Sequence, residues 1–407
     1  MQGEASLIQP EQRLEDFFRS RYEKDAIYLP SGRFGLYLAF REWLRPGQRL
    51  LLSPINDDVV FFTVLAAGLI PVLGPVDSRT GNLDAVSVDQ ATWRNVNAVM
   101  TSNLYGIPDQ MRCLVEVCQR HNLLLIEDAC QALESHFDEQ RIGEFSSVAV
   151  FSLTKHIEGI GGVLAFSETE RRPSLLSRVR AESVQRTLPA LLGDVFRRIV
   201  RSVAEATGTL ETLRRERRRF FPPKKERPLH RMEYVLEQVL EAGRSGPSLE
   251  HFERWVGIDN TEYRTIPRYC DVSGTLEHLQ RLDENRTQRI DGTRRLLDLD
   301  LTPPDVRVPE NTALFRVPLF IRNRDDVVRQ FAWRGISLDY IYDPPLDVYA
   351  PPSLAERIAS PVEAERWSRD VLPVDPLHAS RFLDLLAERS IPVSAVPEIT
   401  SSGSLER

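Results

Sequence analysis

The sequence predicts an α/β protein whose first domain is built on a mostly parallel β-sheet. From Tyr28 onward, short apolar runs alternate with longer stretches of helical periodicity, which is typical of consecutive βαβ units. The short runs are apolar throughout, so we expect helices to cover both faces of the sheet. This large domain is predicted to span residues 28–170, and a smaller α+β domain is predicted to follow it.

The elements follow from periodicity and flanking residues. Residues 1–27 are predicted as an N-terminal helical segment, in which Pro10 opens a helix and Leu14, Phe18 and Tyr22 lie at helical spacing. Helices are predicted at residues 59–67 and 110–121. The predicted strands are residues 50–52, 70–73, 98–101, 123–126 and 148–152.

Composition excludes several classes of protein. The chain has 407 residues, a formal charge of −7, 42% hydrophobic and 27% charged residues, as in a soluble globular protein with two domains. Its longest apolar run, residues 64–73, is far shorter than the roughly 20 residues of a membrane span. Glu4 and Glu11 interrupt the N-terminal stretch and no secretory signal is visible, so we expect a cytoplasmic protein. Four cysteines lack the close pairing of zinc ligands, so we predict buried thiols and no metal site: Cys113, Cys118, Cys130 and Cys270.

Residues 171–231 form a basic segment, with 17 basic and 6 acidic residues in an otherwise acidic chain. We predict a helical insertion over residues 171–260. The segment is interpreted either as a solvated insertion or as a contact for an anionic surface: a membrane, a polyphosphate substrate or an acidic carrier protein. Nucleic acid is not an expected partner, because no recognisable nucleic-acid-binding motif is present.

The C-terminal part, residues 261–397, is predicted to contain a long helix and the small domain. The helix follows Asp271, with Leu276, Leu279, Leu282 and Ile290 at helical spacing and three arginines facing solvent: Arg281, Arg286 and Arg289. A strand over residues 313–321 and a helix over residues 379–387 belong to the small domain. Residues 398–407 are predicted to be a disordered tail.

Lysine is rare in this chain, with 4 lysines among the 52 basic residues. Lys155 is the only lysine between Asp25 and Pro223, and it follows an apolar strand. A desolvated lysine amine can lose its proton and attack a carbonyl, whereas a guanidinium stays protonated. Lys155 is therefore either a nucleophile or an ordinary surface lysine. The other lysines, Lys24 and the pair at 224–225, lie in charged contexts and are predicted at the surface.

Two further groups are predicted at the same edge of the sheet. Asp128 ends the apolar run 124–126 after Glu127, and the carboxyl ends of parallel strands line the ligand crevice of such folds. A buried aspartate needs a cation, for which a protonated pyridine nitrogen is suitable; the alternative is a helix N-cap. The free amides of Gly32 and Arg33, after Ser31 at a helix start, can bind a phosphate, and Ser152 adds a hydroxyl.

In this order the motifs resemble the DegT/DnrJ/StrS-type sugar aminotransferases, which are fold type I pyridoxal phosphate enzymes. The matching segments include Ser31-Gly32, Asn103-Leu104-Tyr105-Gly106, Glu127-Asp128-Ala129-Cys130-Gln131 and Phe151-Ser152-Leu153-Thr154-Lys155. The resemblance implies an α/β fold of this type, with a mostly parallel sheet in the large domain and a smaller α+β C-terminal domain. It also implies pyridoxal 5'-phosphate as cofactor and a homodimer.

The resemblance assigns roles to individual residues. Lys155 would form the Schiff base and then serve as general acid and base, and Asp128 would keep the pyridine nitrogen protonated. Ser31, Gly32, Arg33 and Ser152 would bind the phosphate. Gln131 would contact the cofactor near its phenolic oxygen.

The chain also departs from the family pattern. The aromatic ring that usually stacks on the cofactor is missing after the second strand, where the first rings are Phe61 and Phe62. Two residues are absent between Ser152 and Lys155. Arg264 stands near the position of an asparagine that the neighbouring subunit usually supplies, where it would meet the phosphate.

The leading hypothesis is an aminotransferase that moves an amino group from an amino acid, such as glutamate, to a keto sugar, often nucleotide-linked in the family. One alternative is a pyridoxal phosphate enzyme for a cyclitol or a carrier-bound intermediate; another is a non-catalytic regulatory protein. Sugar dehydration is disfavoured, because family members that dehydrate carry histidine in place of the lysine, whereas Lys155 is present here.

Overall fold

The computed structural model describes residues 9–185, 230–303, 306, 308–309, 312–332 and 341–389. In this part of the chain, eight strands form one sheet in the order β1-β9-β8-β5-β4-β2-β3-β11. These strands are β1 (Asp25–Leu29), β2 (Arg49–Leu52), β3 (Ile70–Leu73), β4 (Ala98–Met100), β5 (Leu124–Asp128), β8 (Val148–Ser152), β9 (Gly162–Phe166) and β11 (Glu356–Arg357). A small hairpin, β6 (His136–Phe137) and β7 (Gln140–Arg141), lies beside it.

Strand direction brings several carboxyl ends to one edge of the sheet. Strands β8, β5, β4, β2, β3 and β11 pair in parallel, whereas β9 is antiparallel to both β8 and β1. Because β9 reverses direction between them, β1 runs the same way as β8. The predicted mostly parallel sheet is confirmed, and Leu29, Asp128 and Ser152 end their strands at the same edge.

Helices cover both faces of this sheet. Successive residues of β8 belong alternately to two separate apolar clusters. Val148 and Val150 lie in one cluster, and Ala149 and Phe151 lie in the other. This alternation follows from the two-residue period of a strand and confirms the predicted burial of both faces. The helices of the large domain are α1 (Pro10–Tyr22), α2 (Gly32–Trp43), α3 (Asp58–Ala66), α4 (Gln90–Asn95), α5 (Met111–His121), α6 (Leu153–His156) and α7 (Arg172–Glu182).

Two helices from the predicted insertion pack on the large domain. They are α8 (Leu236–Arg244) and α9 (Leu249–Val256), and Trp255 of α9 stacks on Phe62 with ring centroids 5.4 Å apart. Their buried apolar residues belong to the same cluster as α2 and α3. Most of the basic segment, residues 186–229, and the predicted tail at 398–407 lie outside the described residues.

The remaining described elements form the C-terminal part. They are α10 (Tyr269–Leu279), α11 (Leu282–Leu297), β10 (Val317–Phe320), α12 (Arg324–Ala332), α13 (Leu346–Tyr349), α14 (Val362–Asp370), β12 (Val371–Val374) and α15 (Ala379–Arg389). Strands β10 and β12 pair antiparallel, and Leu296 of α11 and Phe382 of α15 are buried in the same cluster as the pair. None of the helices in the described ranges is both long and apolar enough to cross a membrane.

Several sequence predictions are wrong in detail. Cys113 and Cys270 are only partly buried, whereas Cys118 and Cys130 are buried as predicted. The long helix after Asp271 is two helices, interrupted at residues 280–281. Arg289 does not face solvent: it is 2% exposed, because its guanidinium bonds backbone carbonyls and a carboxylate between α11 and the small domain. Lys24 is not a surface lysine either, because it is 8% exposed and its ammonium donates to the carbonyl of Gly143.

Candidate active site

The candidate site lies at the carboxyl ends of β5 and β8, which are neighbours in the sheet. Asp128 is the last residue of β5 and pairs with Val150 of β8. Two residues later β8 ends at Ser152, and the chain enters α6, which carries Lys155. Parallel pairing therefore brings the predicted aspartate and lysine to one edge although 27 positions separate them in the sequence.

The Asp128 carboxylate is held in a largely buried position. It is 7% exposed, and its Oδ1 accepts the backbone N–H of Cys130 at 3.0 Å. Burial raises the pKa of the Asp128 carboxyl, while the charge of Lys155 acts in the opposite direction. A carboxylate in this setting is stabilised by a further cation or N–H donor placed beside it.

Lys155 is half-buried and directed toward an aromatic ring of the C-terminal part. Its Nζ lies 5.7 Å from the ring centroid of Phe315. The helix that carries it has only four residues, so other segments must hold its backbone. One of these is Arg289, whose Nη2 donates to the Lys155 carbonyl at 3.3 Å.

The start of α2 lies against the same strand ends. The Ser31 hydroxyl caps α2 by accepting the Phe34 N–H at 3.2 Å, and it donates to the carbonyl of Tyr263 at 2.7 Å. A Cβ added at Gly32 would lie 2.7 Å from Cys130 Sγ and 3.5 Å from Ser152 Cβ. The absence of a side chain at Gly32 therefore keeps a helix N-terminus in direct proximity to Ser152 and to the residues that follow Asp128.

Two predicted phosphate ligands have other partners. The Arg33 guanidinium donates to the Val256 carbonyl and to Asp259, each at 2.6 Å, which leaves the backbone N–H as its contribution to an anion site. Arg264 lies 3.2 Å from Glu253 of the same chain and has a 13% exposed side chain. Since Tyr263 contacts the chain's own Ser31, Arg264 is adjacent to the α2 start within one chain, and its contact with a neighbouring subunit stays a prediction.

Gln131 is tied into a network that the sequence did not predict. Its Oε1 accepts the Tyr105 N–H at 3.0 Å and its Nε2 donates to the Tyr342 hydroxyl at 3.2 Å. The rings of Tyr105 and Tyr342 stack with centroids 6.0 Å apart. Tyr105 has a positive φ of 59°, which is uncommon for a residue other than glycine and marks a constrained turn beside the site.

The missing stacking ring is not supplied by Phe61 or Phe62. Both side chains are fully buried within α3, and Phe62 packs between Trp255 and Tyr234 in the core of the large domain. Moving either ring to the site would empty a packed core position, so another group must cover that face of the cofactor. The Lys155 amine instead lies over the ring of Phe315.

The arrangement suits a ligand that combines an anionic group with a protonated heterocycle. Gly32 and Ser152 provide amide and hydroxyl donors for a phosphate, and Asp128 provides a buried carboxylate for a ring N–H. Lys155 provides an amine that can bond a carbonyl carbon. These groups fit pyridoxal phosphate. Nowhere in the described ranges do three or more His, Cys, Asp or Glu side chains cluster as metal ligands would.

Comparison with known proteins agrees with this geometry. Residues 9–174 match the DegT/DnrJ/EryC1/StrS aminotransferase family. The dTDP-3-amino-3,4,6-trideoxy-alpha-D-glucose transaminase of Streptomyces venezuelae is 35% identical over 153 residues, 36% of this chain and 39% of the relative. The GDP-perosamine synthase of Caulobacter vibrioides is 30% identical over 151 residues, 36% and 41% of the two chains. The L-glutamine:2-deoxy-scyllo-inosose aminotransferase of Streptomyces kanamyceticus is 30% identical over 135 residues, 32% of each.

The matched segment therefore spans about two fifths or less of these curated relatives, with shares of 39%, 41% and 32%. Solved structures align over more of the chain. S. venezuelae DesV has a TM-score of 0.61 and 22% identity over 95% of this chain and 91% of that chain. An E. coli GDP-4-keto-6-deoxy-D-mannose-3-dehydratase with bound hydrated PLP has a TM-score of 0.64 and 17% identity over 94% and 92%. These likenesses show the fold, which is that of fold type I pyridoxal phosphate enzymes, as predicted.

Proposed function

Because residues 9–174 match the DegT/DnrJ/EryC1/StrS aminotransferase family, we propose that this chain is a pyridoxal phosphate-dependent aminotransferase that aminates a keto sugar. The observation that carries the proposal is the placement of Asp128 and Lys155 at the carboxyl ends of neighbouring parallel strands: Asp128 ends β5, and Lys155 lies three residues after the end of β8. Neither residue alone distinguishes a cofactor site from a helix cap or a surface lysine. The positive charge of Lys155 acts to lower the Asp128 pKa, against the effect of burial.

When bound, pyridoxal phosphate supplies an electron sink that stabilises negative charge on the carbon next to the substrate nitrogen. Asp128 would accept the ring N–H, and its burial would strengthen this charged hydrogen bond. Lys155 would supply the amine that holds the cofactor and would serve as the acid and base at the reacting carbon. Ser31 caps α2, and the amide of Gly32 and the hydroxyl of Ser152 would bind the phosphate.

The substrates we propose are glutamate or a related amino acid as donor and a nucleotide-linked keto sugar as acceptor. Two of the relatives are named for dTDP- and GDP-linked amino sugars, which supports a nucleotide-linked acceptor. A second candidate acceptor is a cyclitol ketone. It is favoured by the relative named for 2-deoxy-scyllo-inosose, whose name gives L-glutamine as the donor.

We propose a homodimer in the cytoplasm as the working form. Its support is the exposure of three large apolar side chains: Ile160, in the loop after Lys155, and Ile266 and Tyr269, near the start of α10, are 43%, 41% and 60% exposed. The loop of Ile160 contacts α10 directly, through its N–H and the hydroxyl of Thr275 at 2.8 Å. Burying such side chains against a second copy is favourable. A contact of the basic segment with a membrane surface or carrier protein stays a prediction.

Absorbance of the purified protein with added pyridoxal phosphate tests the cofactor assignment. The wild type should show the visible band of a lysine Schiff base. Lys155→Ala should lose it, and so should Lys155→Arg, which keeps a positive charge near Asp128 but offers no amine nucleophile. A wild type without the band, or a Lys155→Arg variant that retains it, would contradict the assignment.

The donor half-reaction then tests the activity. Glutamate and glutamine, added separately to the holoprotein, should convert the Schiff-base band to the spectrum of the pyridoxamine form. Adding nucleotide-linked keto sugars, free keto sugars or a cyclitol ketone should restore the band for the true acceptor class. Retention of the initial spectrum with every amino acid would refute transamination while leaving cofactor binding intact.

A further inference from the structure

Arg289 joins the candidate site to the C-terminal part of the chain. Its guanidinium is buried in α11, where Nε donates to Asn285 Oδ1 at 2.9 Å within the same helix. Its other nitrogens leave the helix: Nη2 reaches the Lys155 carbonyl at 3.3 Å, and Nη1 reaches Asp375 Oδ1 at 3.2 Å. The side chain therefore bonds three separate segments of the fold.

The contact with Lys155 occurs where the short helix α6 ends. A four-residue helix leaves its last carbonyls without partners in the helix, so an outside donor has a direct effect on the local backbone. The Arg289 guanidinium supplies that donor to the residue carrying the amine. A charged, forked group restrains the peptide more strongly than a neutral single donor would.

The same guanidinium also positions the ring beneath the Lys155 amine. Nη1 lies 3.2 Å from the carbonyls of both Leu314 and Phe315, on either side of the Phe315 Cα. Arg289 Cζ is 6.0 Å from the Phe315 ring centroid, and Lys155 Nζ is 5.7 Å from it. The Asp375 carboxylate accepts from the Arg289 guanidinium through Oδ1 and from Arg316 through Oδ2, the latter at 2.9 Å.

From these contacts we propose that Arg289 is a positioning residue for Lys155. It restrains the lysine backbone and the Phe315 ring together, so that the freed amine stays at one place beside the reacting carbon. The inference rests on the proposed function for its catalytic consequence, but the restraint on Lys155 itself requires no cofactor. A misplacement of about 1 Å at a reacting group costs on the order of 100-fold in rate.

The first test measures the restraint in the cofactor-free protein. The four lysines of the chain allow an amine-reactive reagent to be followed at each one by peptide mass spectrometry. Arg289→Met should raise the labelling rate of Lys155 by at least about threefold, since the amine loses its fixed contact with the ring. Leu296→Ala is the matched control: it empties a fully buried position on the same face of α11, two turns on, and should leave Lys155 labelling unchanged.

The second test measures the donor half-reaction of the holoprotein. Arg289→Met should lower the rate at saturating glutamate by on the order of 100-fold, and Arg289→Lys, which keeps the charge but not the fork, by about tenfold. The glutamate concentration for half-saturation should change little, because Arg289 is 2% exposed and its guanidinium is bonded to protein groups. If Arg289→Met fails to fold, the labelling rate of Lys155 and the rate of the donor half-reaction in Arg289→Lys test the proposal instead.

The proposal is overturned if the Arg289 variants label and react like the wild type, or if Leu296→Ala changes both readouts to the same extent. The latter result would assign the effect to general loosening of α11. A wild type that binds no pyridoxal phosphate would instead refute the proposed function. In that case the labelling comparison alone still decides whether Arg289 restrains Lys155.

Discussion

Replacing Asp109 with asparagine should make the stability of this protein less dependent on pH. Asp109 is fully buried beside the turn after β4, and its carboxylate accepts three backbone N–H groups: Ser102 at 2.9 Å, Asn103 at 2.7 Å and Leu83 at 3.3 Å. Burial nevertheless raises its pKa to about 6, with the charge of Asp128 acting in the same direction. The two short bonds share Oδ2, so an asparagine oxygen placed there keeps both.

The magnitude follows from the difference between the folded pKa of about 6 and the ordinary aspartate value of 3.8. A folded pKa that is higher than the unfolded one means that the folded state holds the proton more tightly. The stabilisation of the folded state by this proton is complete below the unfolded pKa and is lost as the pH rises through the folded pKa. One pKa unit corresponds to about 1.4 kcal/mol. The free energy of unfolding of the wild type should therefore fall by about 3 kcal/mol as the pH rises from below the unfolded pKa to above the folded one.

Urea unfolding followed by tryptophan fluorescence, at several pH values between about 4 and about 8, measures this loss. The free energy of unfolding of the wild type minus that of Asp109→Asn should fall by about 2–3 kcal/mol across the range, because the variant shares every other titrating group. A difference that stays constant, or that rises with pH, would refute the reasoning. A rise would mean that the three N–H donors stabilise the carboxylate by more than its burial costs.

Three further substitutions test other parts of the site. Asp128→Asn should retain the Schiff-base band but slow the donor half-reaction by at least about 100-fold, since a neutral amide cannot keep a pyridine nitrogen protonated. Stopped-flow absorbance measures this rate, and an unchanged rate would contradict the role proposed for Asp128. Ser31→Ala removes the N-cap bond to Phe34 and should cost about 1 kcal/mol in urea unfolding, with weaker binding of pyridoxal phosphate. Gly162→Ala would place a Cβ 2.6 Å from the Phe151 carbonyl, so calorimetry should find a lower melting temperature, and an unchanged one would mean that β9 relaxes freely.

Much of the large domain could be predicted from sequence because its elements carry local signals. The strand at 148–152 has the predicted bounds, and the strand at 70–73 does as well. Such runs are short, continuously apolar and bounded by turn residues, which is the pattern of strands buried on both faces. By contrast, β1 and β9 were not predicted as strands. They pair antiparallel with each other, and no local feature of either run indicates that pairing.

The interruption between α10 and α11 shows where periodicity is insufficient. Leu276, Leu279 and Leu282 continue one helical spacing through the break, so the pattern predicts a single helix. In the structure, Gln280 ends α10 and Arg281 precedes α11, with a φ of −97° that is not helical. After the break, α11 packs against the small domain, where a Cβ at Gly292 would lie 1.9 Å from the Pro376 carbonyl. That close contact joins residues 84 positions apart, and no short window of sequence contains it.

The arginine bias explains why the candidate site could be predicted only in part. With four lysines in the chain, a lysine at a strand end carries information, and Lys155 could be identified by its position. With 52 − 4 = 48 arginines, a buried arginine in an amphipathic helix resembles its exposed neighbours, because the helical period places all of them among polar residues. Arg289 differs only in the carbonyls and the carboxylate that surround it, and these come from three distant segments. The chemistry of the lysine is therefore encoded locally, whereas the restraint that we propose for it exists only in the folded chain.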